Sequence, residues 1–305
     1  MRTMIGLNFF IGRYFMGEMK LATTYEQQIE LLKSRGLIIE DEAFAKSVLS
    51  RLNYYSLTGY LHDFKASPEK YVCGLTFEKI YHIYEFDKRF RNLLLYIIET
   101  IEHTLKTKIS YNIAHAYPQN PYSYLDANNF RDKKEHDIFI CKLNEAIRTN
   151  DNIPFVKHHL KKYDGKFPIW VAIELCTMGM LFNFYKNLPT ENQKAISREF
   201  NTGPVQLSSW IDNIKYTRNL LAHYMRIYNF KLQKTPVHCY KNHKYKITSY
   251  KIFDIVYVMK FMFHNKEEWN NYVLPNFRHL IDEYSTYICL DGIGFPEEWE
   301  KILTK

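Results

Sequence analysis

The sequence predicts an all-α protein. Apolar residues recur at helical spacing from Thr23 almost to the end of the chain, and strand-like alternation is scarce with no internal repeat. The periodic runs also open on helix-capping residues and stop at glycine or proline. With 305 residues, 46% of them hydrophobic and 24% charged, the chain can bury a sizeable core without help from metal or disulfides.

"TTYEQQIELLKSRG" opens the first helix, with Thr23 or Thr24 as N-cap and Gly36 as stop. "DEAFAKSVLSRLNYYSLTGYLHDF" predicts a second helix that breaks or bends near Gly59. The longest run starts at an N-cap, Thr76, carries Glu78 in its first turn and extends to Pro118, as one long helix or two. Residues 120–134 are polar enough for a loop, after which "HDIFICKLNEAIRTN" resumes the helical period. A further helix is expected from Pro168, a favoured first-turn residue, to just before Pro189. Gly203 and Pro204 open another, "GPVQLSSWIDNIKYTRNLLAHYMRIYNF". Beyond a basic connector, "YKNHKYK", come "SYKIFDIVYVMKFMFHN", "NFRHLIDEYSTY" and a closing "GFPEEWEKIL". The expected division is an uncertain extension over 1–20, an N-terminal helical segment over 21–75, a helical core over 76–232 and a C-terminal helical segment over 233–305.

A formal charge of +8 and a pI near 9.0 favour polyanionic partners, and 25 tyrosines and 21 phenylalanines offer faces for base stacking. The same composition is what an AT-rich genome encodes, so it does not by itself establish RNA binding. The five cysteines, Cys73, Cys141, Cys176, Cys239 and Cys289, are scattered without a C-x-x-C pair, which fits a reducing cytoplasm. In the first twenty residues Arg13 breaks the apolar run, no signal cleavage site follows, and Met4, Met16 and Met19 are alternative starts. No segment approaches the roughly 20 apolar residues of a spanning helix, so the protein is expected to be cytoplasmic with no membrane partner.

The stretch "TRNLLAHYMRIYN", residues 217–229, concentrates chemistry. On a wheel advancing about 100° per residue, Arg218, Asn219, Ala222, His223, Arg226 and Asn229 share one side, and aliphatic and aromatic residues fill the other. A surface helix always has a polar side, and an arginine followed by a histidine at this spacing arises by chance about once in such a chain. Arg131 to His136 is that decoy, in a charged stretch without asparagine after the arginine. Company sets the first match apart. Arginine forks beside a small central alanine suit phosphate oxygens.

"RNLLAHYMRIYN" resembles the R-N-x-x-x-H element of HEPN-domain ribonucleases in the form found in the AbiD/AbiF abortive-infection family. "LNYYSLTGYLHDF", "TFEKIYHIYEFDKRFRNLLLYIIETIE", "FPIWVAIELCTMGMLFNFYKNL" and "GFPEEW" are similar to that family's successive blocks, in order. The resemblance implies a HEPN-like helical bundle with additional N- and C-terminal helices. It also implies Arg218 and His223 as a catalytic pair supported by Asn219, cutting RNA by 2′-hydroxyl attack with no cofactor or metal. Because Arg218 and His223 sit about 140° apart on an ideal helix, the resemblance further implies a homodimer with a composite cleft. Arg226 and Asn229 would then contact RNA or the partner copy. A small structured RNA would hold the activity off, with Lys241 to Lys246 in that contact. The rival expectations are an RNA-binding module without catalysis and a purely structural helical protein.

Glu99 and Glu102, on the long helix, are weaker candidates for orienting His223 or Arg218, against the simpler reading as a solvated acidic face. "EFDKRFR" suggests intrahelical ion pairs of Glu85 and Asp87 with Arg89 and Arg91. Tyr54, Tyr55 and Tyr60 are expected in the core or an interface rather than at bases. "HCYKNH" and "KHHLKKY" lack a second ligand pair for a metal, and "DGIG" lacks the strand-to-helix setting of a nucleotide loop.

Overall fold

The fold is taken from a computed structural model, which describes residues 21–233 and 249–305. Helix α1 (Tyr25–Ser34) begins in a reciprocal cap, in which Thr24 and Gln27 satisfy each other's backbone N–H groups. It ends where Gly36 turns left-handed, with φ +89°. Two helices follow, α2 (Glu42–Arg51) and α3 (Tyr54–Leu61). The bend expected near Gly59 lies earlier in the chain. Leu52 is extended and the Asn53 side chain accepts the Tyr55 N–H at 2.9 Å, so the break falls there and Gly59 sits inside α3. A short antiparallel pair, β1 (Lys65–Ser67) and β2 (Lys70–Tyr71), leads on.

Helix α4 (Phe77–Ala116) is one helix of 40 residues, about 60 Å long at 1.5 Å per residue. It is uninterrupted because residues 77–116 contain neither proline nor glycine. Thr76 caps its start by accepting the Lys79 N–H at 3.1 Å. Ile83, Phe86, Phe90, Leu94, Ile97, Ile101, Leu105 and Ile109 form a buried stripe at steps of three and four.

Around α4 come α5 (Lys133–Thr149), α6 (Pro154–Lys162), α7 (Ile169–Ala172), α8 (Met178–Asn187), α9 (Thr190–Arg198) and α10 (Pro204–Ala222). The helix expected from Pro168 to Pro189 is divided. Cys176 is extended and Thr177 starts α8 afresh by capping Met180. Helices α6 and α9 are additions to the elements expected from the sequence. The last elements are α11 (Ile252–Met262), α12 (Lys266–Glu268), a π turn over Trp269–Val273, α13 (Leu274–Glu283), α14 (Leu290–Ile293) and α15 (Trp299–Leu303). Helices α3, α7, α8, α9, α10, α11 and α13 all pack on α4, and buried residues from Ile29 to Leu303 join in one core. The protein is all-α apart from the short hairpin, and among the described residues no helix is long and apolar enough to cross a membrane.

One acid interrupts the α4 stripe. Asp87 is fully buried and accepts the Tyr60 hydroxyl and the Arg91 guanidinium, each at 2.6 Å. It also accepts the backbone N–H of Ile227 at 3.1 Å and of Tyr228 at 2.8 Å. Burial pushes its carboxyl above the ordinary range, opposed by the Arg91 charge and these donors. The side chain thereby ties α3 and α4 to the chain just beyond α10. The local ion pairs expected in "EFDKRFR" need correcting at Arg89, which reaches Glu283 and Tyr284 instead, while Glu85 pairs with Lys88 and Asp87 with Arg91.

Removing one partner of a buried charged network leaves the others unsatisfied, so Asp87→Ala is expected to lower stability by about 3–5 kcal/mol, measured by urea denaturation. A loss under about 1 kcal/mol would reduce Asp87 to an ordinary helix ion pair. Burial also pushes the Cys176 thiol up to about 12. Folded protein at pH 8 is therefore expected to be alkylated by iodoacetamide at exposed Cys73, Cys141 and Cys289 and spared at Cys176 until it is unfolded.

Candidate functional site: the end of α10 and its two flanking hollows

Gly203 and Pro204 start α10, and Leu207, Trp210, Ile211, Ile214 and Leu221 bury one face of it. The helix stops at Ala222, with His223 as its C-cap and Tyr224 left-handed at φ +58°. The Tyr224 N–H donates to Leu221 O at 3.1 Å and the Met225 N–H to Leu220 O at 3.0 Å. This is a Schellman closure with tyrosine where glycine is usual.

The continuous wheel through Asn229 therefore needs correction: Arg226 and Asn229 do not belong to the α10 face. The Asp87 carboxylate takes the N–H groups of Ile227 and Tyr228, and Asn229, also left-handed at φ +53°, donates its N–H to Gly292 O at 2.7 Å. Arg226 turns back to α3, donating to Gly59 O at 2.8 Å and to Asp63 at 2.5 Å. Gly292 also gives "DGIG" a structural role. A β-carbon there would stand 2.5 Å from the buried Tyr228 ring, whose hydroxyl accepts the Cys289 N–H at 3.1 Å.

Arg218, Asn219 and His223 are exposed, and among the described residues their side chains have no hydrogen-bond or ion-pair partner. Arg218 and His223 open onto two different hollows, and Asn219 borders neither. Arg218 lines one of about 280 Å³ together with Glu99, Glu102, His103 and Lys106. Glu99 and Glu102 thus stand near Arg218 but form no ion pair with it, and Glu102 lies 3.8 Å from Lys106, whose ammonium donates to Glu174 O at 3.0 Å.

His223 lines the other, a groove of about 930 Å³ walled by α3, α4 and the turn after α10. Among the described residues four cations line it, Arg51, Lys88, Arg91 and Arg226, and no carboxylate does. Arg91, Arg226 and Lys88 are paired with Asp87, Asp63 and Glu85, while exposed Arg51 pairs with no acid among the described residues. Of the three tyrosines singled out in the sequence, Tyr60 is buried, Tyr54 is half-buried, and Tyr55 is 78% exposed at the groove. Leu95 is common to the two linings, whereas Arg218 borders only the first and His223 only the second.

Sequence reasoning passed over Arg51, Lys88, Asn92 and Tyr224 as groove residues. Asp87 carried a signal, an acid in register with the buried stripe of α4. Tyr224 carried none, because a tyrosine does not announce a left-handed backbone. His158 and His159 of "KHHLKKY" lie on α6, "HCYKNH" falls outside the described residues, and among those described no group of three or more histidines, cysteines and acids is placed to hold a metal.

The family model described as "Abi-like protein" matches residues 47–229, well over half the chain. The protein belongs to the Abi-like family. That membership connects it with abortive infection, and the matched span holds α3, all of α4, Asp87, α10 and the turn that ends at Asn229. Comparison with curated proteins and with solved structures gives no match.

Thermal unfolding checks the turn in this Abi-like protein. Tyr224→Gly is expected to hold or raise stability by up to about 1 kcal/mol, since relief of the left-handed strain outweighs added chain entropy, whereas the β-branched Tyr224→Val should lower it. Gly292→Ala is expected to cost about 1–3 kcal/mol by displacing Tyr228.

Proposed function

We propose that this protein is a HEPN-type endoribonuclease that acts in abortive infection, either against phage or as a growth-arresting toxin. The observation that carries the reading is His223, which among the described residues has no side-chain partner at the end of α10 and borders a groove that they line with four cations and no carboxylate. Such a groove attracts a phosphate backbone, and an imidazole can accept and return a proton around neutrality.

In the proposed reaction His223 takes the proton of a ribose 2′-hydroxyl, whose oxygen attacks the adjacent phosphorus. The bond to the 5′-oxygen breaks, a proton is returned to that oxygen, and the products are a 2′,3′-cyclic phosphate and a 5′-hydroxyl. Arg218 stabilises the added negative charge, and Asn219 beside it holds the phosphate in place. Arg226, held on α3 by Asp63, borders the same groove. Glu99 and Glu102 orient Arg218 across their shared hollow. Because Arg218 and His223 border different hollows, the proposal places the pair in a homodimer, with one copy's Arg218 facing the other copy's His223. The chemistry of 2′-hydroxyl attack calls for no metal. By resemblance to its family, a small structured RNA restrains the activity, and the Lys241 to Lys246 connector proposed for that contact lies outside the described residues.

The separation of Arg218 from His223 also favours a second reading, an RNA-binding module that does not cut. RNA cleavage in EDTA by wild-type protein beside His223→Ala separates the two. The nuclease reading expects cyclic phosphate ends from the wild type and a loss of at least about 100-fold in the variant. Tight, salt-dependent binding by both proteins with no cleavage by either would favour the second.

A further inference from the structure

The groove beside His223 holds two aromatic rings that the fold does not use. Tyr224 is 83% exposed and Tyr55 is 78% exposed, and both border the groove. The Tyr54 and Tyr55 rings meet in a T-shaped contact at 5.7 Å, and the two hydrogen bonds that close α10 fix the backbone of Tyr224. Tyr224 moreover holds a left-handed conformation that costs a non-glycine residue energy, and a ring so exposed recovers little of it by burial. Exposed aromatic faces beside Arg51 and Lys88 and the exposed amide of Asn92 have the composition of a site for unstacked bases on a phosphate chain.

We propose that this groove is a stacking subsite for unpaired RNA nucleotides next to the phosphate at His223, with Tyr55 and Tyr224 as base platforms and Arg51 and Lys88 as phosphate contacts. The subsite rests on the reading of the protein as RNA-acting but not on cleavage. It defines the substrate class: a duplex keeps its bases stacked on one another and cannot present them to the tyrosines, so the protein selects single-stranded or looped RNA.

The test is fluorescence anisotropy with the full chain carrying His223→Ala, so that binding is read without cutting. The probes are a labelled oligouridine of about a dozen nucleotides and an RNA duplex of equal length. The oligouridine is expected to bind more tightly than the duplex. Tyr55→Ala and Tyr224→Gly, each added to that background, should weaken oligouridine binding roughly 5- to 100-fold, while Tyr55→Phe and Tyr224→Phe preserve it. Tyr224→Gly guards against misfolding, because it removes backbone strain together with the ring. Oligouridine affinity unchanged in both ring-removed variants, or equal affinity for the duplex, would overturn the subsite. So would ring-removed variants whose only change is a lower mass in sedimentation equilibrium, which would make the groove a contact between copies. Tyrosine-dependent binding by the chain, with no cleavage by the protein whose His223 is intact, would uphold the subsite and remove only the catalytic reading.

Discussion

The buried carboxylate of Asp87 is the constraint on which the functional end of the molecule depends. A charge in the middle of an apolar helix stripe is tolerated only when its lone pairs are taken up, and four donors from three parts of the chain take them up here. Two of those donors are the N–H groups of Ile227 and Tyr228, which would otherwise look for partners in a continuing helix. By accepting them Asp87 holds the chain beyond the α10 closure against α3 and α4. The groove lies at that junction: α3, α4 and the turn after α10 line it.

Electrostatics divides the surroundings of the motif in two. On the Arg218 side two carboxylates and a lysine line the hollow that Arg218 borders, and neither carboxylate forms an ion pair with it. On the His223 side Asp87, Asp63 and Glu85 hold Arg91, Arg226 and Lys88, and the groove keeps Arg51, which pairs with no acid among the described residues, and its aromatic faces. The two halves of the motif thus meet different environments within one chain, which is why the catalytic reading invokes a second copy and the stacking subsite does not.

Much of the architecture was legible in the sequence. The caps at Thr24 and Thr76, the stop at Gly36 and the start at Gly203-Pro204 are local devices, and each acts where its residue type predicts. The breaks at Asn53 and Cys176 were missed because a side-chain cap can restart a helix inside an unbroken apolar period. For the site, the exposure of Arg218, Asn219 and His223 follows from the α10 pattern, but the helix cannot be seen to stop after Ala222. Tyr224 bears no mark of its backbone, and the carboxylate that holds the chain beyond the stop lies some 140 residues earlier, at Asp87. Long-range hydrogen bonding of this kind leaves no periodic trace.

The central claim is that RNA lies in the groove at the end of α10. Photocrosslinking of RNA carrying 4-thiouridine, with the attached peptides mapped by mass spectrometry, tests it most directly. The account predicts crosslinks on the peptides that contain Tyr55 and the His223 to Arg226 turn. Crosslinks confined to another basic surface, such as the lysines and histidines of α6, would contradict it.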